Sequence, residues 1–203
     1  MENHSGRYKT IEVASPEVLF KERKSKFYAY AFPLTDEDAV KPLVESLRKK
    51  HPTANHVCYA WQIGHLEPRY RANDDGEPNN SAGMPIYGQL QSYGVTNIIV
   101  AVVRIFGGTK LGVGGLINAY RSAAQLALEF SQIIEKTIQQ KFMLSFGYDQ
   151  MNTVMRTLKQ RQIDIESQEM GLKCLIYISV DQQRTEEIEE VFNGLHKIDL
   201  KPV

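Results

Sequence analysis

The sequence predicts an α+β protein organised as two units, residues 1–132 and 138–203. Three observations lead there. At 203 residues the chain exceeds the roughly 100–150 that one domain usually occupies. Strand and helix periods alternate cleanly through the last third, and a β-branched run near residue 100 is followed by an amphipathic helix. A polar segment, residues 131–140, divides these into two sets of elements, each able to bury a core of its own.

In the first unit, Tyr8–Val13 and Lys26–Phe32 read as strands, and a helix opens at Thr35 with Asp38 three residues on. Val40, Leu43, Val44 and Leu47 supply its apolar face. His56–Ile63 alternates as a strand, and Asn97–Phe106 suits a central strand buried on both faces. A helix follows from about Leu116, with Ala119, Tyr120, Ala123 and Ala127 on the packed side. Between these elements, Arg71–Pro85 is too long and polar for a hairpin turn and reads as a structured functional loop.

In the second unit, Phe142, Leu144 and Phe146 alternate as a strand, and Met151, Val154, Met155 and Leu158 recur at helical spacing. A short strand at Ile163–Ser167 precedes a turn at Met170-Gly171. Leu172, Cys174, Ile176, Ile178 and Val180 then alternate with period two. A helix carrying Ile188, Val191, Phe192 and Leu195 ends at Asn193-Gly194, and Lys197–Val203 returns as a strand. The order β-α-β-β-α-β is the ferredoxin-like arrangement. Lys173, Leu175 and Tyr177 share the sheet face opposite that core, which suits packing against the first unit better than RNA, because no RNP-type aromatic pattern is present.

Composition excludes several classes. The chain is 42% hydrophobic and 24% charged, an ordinary globular balance. The polar start lacks a secretory apolar stretch, and the run Ile98–Val103 is far shorter than the about 20 residues that cross a bilayer, so a cytoplasmic protein with no membrane partner is expected. Cys58 and Cys174 form no C-x-x-C or Cys/His spacing, which argues against a disulfide framework or zinc site. Basic and acidic residues number 15 and 14 in residues 1–135 and 9 and 10 in 136–203, so neither half is a polybasic arm.

Two segments carry the candidate chemistry. In Asp74-Asp75-Gly76-Glu77, three carboxylates lie within four residues, oxygen ligands of the kind Mg²⁺ or Ca²⁺ prefers, although Asp75-Gly76 is equally a turn signal. In Gly107-Gly108-Thr109-Lys110-Leu111-Gly112-Val113-Gly114-Gly115, a glycine-rich turn between strand and helix exposes backbone amides where the helix dipole is positive, and Lys110 adds a charge, as a phosphate cradle requires. The spacing matches neither the P-loop nor the dinucleotide fingerprint, and the same glycines would serve a sharp connection with positive φ. His51 and His56 are candidate general bases without a triad, and Cys58 has the phase of a packed strand residue. Lys21, Arg23, Lys24 and Lys26 lead into Phe27, Tyr28 and Tyr30, a basic-aromatic interleaving that binds single-stranded nucleic acid or forms a solvated edge.

Residues 74–83 and 104–116, with Lys24-Ser25-Lys26-Phe27 before them, resemble the signature of the IMPACT/YigZ family over about residues 24–120. The resemblance implies an N-terminal split β-α-β domain similar to a ribosomal protein and to domain IV of elongation factor G, with a C-terminal domain like domain V of that factor. These motif segments, with Arg71 as a further cation, single out Lys24, Ser25, Arg71, Asp74, Asp75, Gly76, Glu77, Arg104, Gly107, Gly108, Lys110, Gly112, Gly114 and Gly115 as candidate ligand-binding residues. The sequence departs from the family pattern at Asn79-Asn80-Ser81, where a Ser-Gly-Thr run is usual, at Ile105, and at Met84 and Asn118, which replace arginines. Eukaryotic members of that family act in translational control by binding a ribosome-associated activator of a stress kinase through an additional N-terminal domain for which these residues leave no room, so the resemblance does not carry that partner over.

These readings favour a non-enzymatic regulatory or binding factor associated with translation, its partner RNA, the ribosome or a translation-related protein. The alternatives are a Mg²⁺-dependent enzyme acting on a nucleotide or phosphodiester, with Asp74, Asp75 and Glu77 as metal ligands, and a protein-interaction module without nucleic acid. No catalytic residue and no cofactor other than Mg²⁺ are implied, and the oligomeric state is not legible.

Overall fold

The computed structural model describes residues 6–203. The chain divides into two compact units, Tyr8–Lys136 and Thr137–Val203, the latter joined by Gly6 and Arg7.

The elements of the first unit are β1 (Arg7–Ile11), β2 (Val18–Glu22), β3 (Ser25–Pro33), α1 (Val40–Lys50), β4 (His56–Ile63), β5 (Arg69–Asn73), α2 (Gly83–Tyr93), β6 (Ile98–Ile105), α3 (Gly112–Glu129) and β7 (Ile133–Thr137). Five strands form an antiparallel sheet in the order β2-β3-β6-β4-β5, and β1 pairs with β7 apart from it. The β-branched run expected as a central strand is β6. Ile98, Val100 and Val102 pack under α2 and α3, while Ile99, Ala101 and Val103 face the α1 side, so the strand is apolar on both phases.

Several boundaries differ from the sequence reading. The helix start expected at Thr35 is a single 3₁₀ turn, Glu37–Ala39, capped by the Asp36 carboxylate on the Asp38 amide, with α1 following. The segment 71–85, expected as loop throughout, holds the end of β5 and the first turn of α2. α2 reads GMPIYGQLQSY, whose two glycines and proline hide it from propensity. Tertiary burial of Ile86, Tyr87 and Leu90 makes it a helix nonetheless. The basic run 21–26 forms the β2–β3 hairpin at the edge of the sheet, with Lys21, Arg23, Lys24 and Lys26 exposed as a solvated edge would have them, and its two turn residues, Arg23 (φ 43°) and Lys24 (φ 70°), are both left-handed. A two-residue hairpin needs that geometry to match strand twist.

The second unit comprises β8 (Gln139–Phe146), α4 (Met151–Gln160), β9 (Ile165–Glu169), β10 (Cys174–Asp181), α5 (Thr185–Asn193) and β11 (Ile198–Pro202). Its antiparallel order β11-β8-β10-β9 is the ferredoxin-like one, with β9 starting two residues later than expected. Phe142, Leu144, Phe146, Cys174, Ile176 and Ile178 pack against Val154 and Leu158 of α4 and Ile188 and Phe192 of α5. The α+β architecture follows from these two units. No helix of the described residues is long and apolar enough to cross a membrane.

Candidate functional site

Arg104 prolongs the Ile98, Val100, Val102 face of β6, so its side chain is carried under α3 and is only 6% exposed. The strand register sets it opposite Phe27 on β3 and His56 on β4. The guanidinium carbon stands 5.6 Å from the centroids of both the Phe27 and Phe106 rings, within cation–π range. A buried guanidinium needs a counter-charge. Glu77, also buried, supplies it: Oε1 accepts from Arg104 Nη1 at 2.6 Å and from the Tyr120 hydroxyl at 2.7 Å. Tyr120 is fully buried, edge-on to Phe27, and burial above all pushes its phenol far above the usual range, so it stays a donor. The Nδ1 of His56 lies 2.8 Å from the Asp75 carbonyl oxygen, which can only accept, so that nitrogen carries the proton. Nε2 then faces Glu77 Oε1 at 3.9 Å.

The three clustered carboxylates do not converge. Asp74 accepts from the amides of Asn80 (2.8 Å), Ala82 (2.9 Å) and Gly83 (2.8 Å), occupying the N-terminus of α2 in place of an external anion. Asp75 turns towards α1, taking both its oxygens to Arg48 at 2.6 Å and one to the Val57 amide at 2.5 Å. Glu77 turns the other way, under α3. No group of three His, Cys, Asp or Glu side chains among the described residues is placed to hold a metal ion. Cys58 is buried as a packing residue; it donates to the Asp74 carbonyl oxygen at 3.1 Å, and burial pushes its thiol up, away from nucleophilic use.

The glycines divide by role. Gly107 lies against the β2–β3 turn so closely that a Cβ would fall 2.0 Å from the Lys24 carbonyl carbon, and its amide donates to the buried Ser25 hydroxyl at 3.2 Å. Lys24 and Ser25 thus position the loop and do not enter the cavity described below. Gly108 and Gly112 have positive φ, 85° and 71°. The expected free glycine turn is shorter than the sequence suggested, because α3 begins at Gly112 and takes Gly114 and Gly115 into its first turn. Gly76, at φ 86°, makes the turn beside His56.

Between the acidic loop and the start of α3 lies a cavity of about 400 Å³. Its floor holds His56, Glu77 and Arg104. Its apolar wall is formed by Leu111 and Leu116, with Phe106 and Val113 exposed at the mouth, 41% and 53% respectively, and Lys110 is exposed beside them. Of the residues singled out from the sequence, His56, Glu77, Arg104, Lys110 and Gly112 meet here. Arg71 does not; it lines a second cleft of about 310 Å³ on the α1 side, with Tyr59, Trp61 and Asp75. Sequence reading missed Tyr120 as a polar partner, having placed it among apolar residues, and missed Asn55, whose side chain accepts from the Phe106 amide at 2.8 Å and holds the cavity's mouth. An asparagine just ahead of a strand was the available signal.

The model of the Impact N-terminal domain matches residues 23–128. The IMPACT family member YigZ of Escherichia coli is 36% identical over 72% of this chain and 74% of its own. YvyE of Bacillus subtilis, another family member, is 28% identical over 96% and 90%. A crystal structure of a hypothetical protein superposes with a TM-score of 0.71 at 28% identity, covering 97% of both chains. A domain match across half the chain, laid over the two loops that frame the cavity, establishes that this chain belongs to the IMPACT family.

Proposed function

We propose that this chain is a non-enzymatic binding factor that works in translation by holding an apolar element of a translation-related protein between its acidic and glycine-bearing loops. The observation that carries the reading is the cavity itself, with exposed Phe106 and Val113 over a floor whose one carboxylate, Glu77, is already met by Arg104. Exposed apolar side chains around a concave site favour a protein ligand. Membership of a family whose eukaryotic members act in translational control supports the setting. Metal-dependent phosphate chemistry is disfavoured because Asp74, Asp75 and Glu77 serve three separate sets of partners. Broad contact with RNA or the ribosome through this site is disfavoured too: Arg104 is buried and paired, Arg71 lines the other cleft, and Lys110 is the remaining signature cation at the cavity.

A photo-crosslinking residue at Val113, with a control at the fully exposed Leu172, tests the reading in cells. The expected product is a crosslink to a protein of the translation apparatus from Val113 alone. Crosslinks to nucleic acid only, or none to protein, would overturn it.

A further inference from the structure

The same cavity has features that narrow its ligand. The first amides of an α-helix have no partner within the helix and carry the positive end of its dipole. In α3 the residue before them is Leu111, which makes no side-chain cap, and Gly112 and Val113 of that first turn line the cavity. A second observation is independent of the helix. Arg104, more than nine-tenths buried in the cavity lining, has Nη1 bonded to Glu77, while its Nε has no partner among the described residues. With Arg104 and Lys110 set against Glu77, the charged lining has an excess of one positive charge, which complements a single anionic group and not a polyphosphate. The rest of the wall, Phe106, Leu111, Val113 and Leu116, is apolar.

We propose that this cavity takes the free carboxyl terminus of a polypeptide whose last residue is apolar. The carboxylate sits on the α3 amides beside Lys110, and the apolar side chain fills the wall, a form of terminus capture by backbone amides. A cavity of about 400 Å³ accommodates one terminal side chain and its carboxylate. A phosphodiester would satisfy the amides but leave the apolar wall to a base, with Lys110 as its one exposed cation here. The inference rests on the protein-binding reading above and specifies its ligand.

The test uses the full chain and a library of random heptapeptides displayed with free C-termini, from which the best binder is synthesised as acid and as amide. Fluorescence anisotropy is expected to show an apolar last residue and an acid that binds about tenfold or more tightly than the amide. Lys110→Ala should weaken the acid several-fold and leave the amide unchanged. Val113→Asp should abolish binding of both, and because Val113 is 53% exposed this variant should melt like the parent. Equal binding of acid and amide, or no C-terminal consensus, overturns the inference; protein crosslinks at Val113 would then still support the broader reading. Displacement of the peptide by an equal concentration of a short RNA oligonucleotide assigns the amides to phosphate and overturns it as well.

Discussion

Glu77→Ala is the perturbation that reads the site most directly. Its Oε1 is shared by the guanidinium of Arg104 and the hydroxyl of Tyr120, at 2.6 and 2.7 Å, with Glu77 and Arg104 8% and 6% exposed. Removing one partner of a buried ion pair costs about 3–5 kcal/mol, and stranding a buried hydroxyl about 1–3 more. The two losses are not independent, since both pass through one oxygen, and water entering from the adjoining cavity offsets part of them. A net cost of about 3–4 kcal/mol follows. At about 2–4 °C per kcal/mol for a chain of this size, the melting temperature should fall by roughly 10 °C. The protein has one tryptophan, Trp61, which is buried in the same unit, so its fluorescence during urea or thermal unfolding reports that unit. The double variant Glu77→Leu with Arg104→Met should recover to within about 1–2 kcal/mol of the parent, because a buried pair replaced by apolar groups of similar volume is near neutral. A single-variant cost below about 1 kcal/mol, or additive costs in the double variant, would refute the reasoning.

The glycines of the second signature segment should respond in three different ways to alanine. Gly107→Ala, whose Cβ would overlap the Lys24 backbone, should cost about 3 kcal/mol or more, while Gly108→Ala meets no atom of the described residues within 4 Å and should cost about 1 kcal/mol for its φ of 85°. Gly114→Ala, helical and uncrowded, should gain about 0.5–1 kcal/mol; uniform losses in chemical denaturation would contradict this division. A pH effect is expected elsewhere in the same unit, where His51 Nε2 lies 2.5 Å from the Tyr30 hydroxyl, with Glu17, Lys50 and the Tyr28 ring around it. Burial holds the His51 pKa below its ordinary 6.5, with Glu17 opposing in part, so the unfolded chain binds the proton more readily. That stability is complete above the unfolded value and is lost as pH falls below it. The melting temperature should drop between about pH 7.5 and about pH 5.5, and less so in His51→Gln; equal drops would remove His51 as the cause.

Legibility followed the range of the interactions. Period-two alternation at Cys174, Ile176, Ile178 and Val180 and the unbroken apolar run of β6 are local signals, because burial on one face or both writes itself directly into adjacent residues. α2 was illegible because its helix is imposed by packing of Ile86, Tyr87 and Leu90 against propensity, and the β2–β3 turn because Arg23-Lys24 is not a glycine-bearing turn pair. The loops at 74–83 and 104–116 stood out by their residue types, and residues of both line the candidate cavity.

The sequence by itself determined the α+β class, the ferredoxin-like order of the second unit and the acidic and glycine-rich character of the two loops. Only the tertiary structure decided how those loops use their charges. Asp74, Asp75 and Glu77 are adjacent in sequence and looked like one ligand set, yet the first caps α2, the second reaches Arg48 on α1, and the third is buried with Arg104 and Tyr120 beneath α3. A carboxylate finds its partner through space, and those partners lie 9, 27 and up to 43 residues away along the chain, where no local pattern records them.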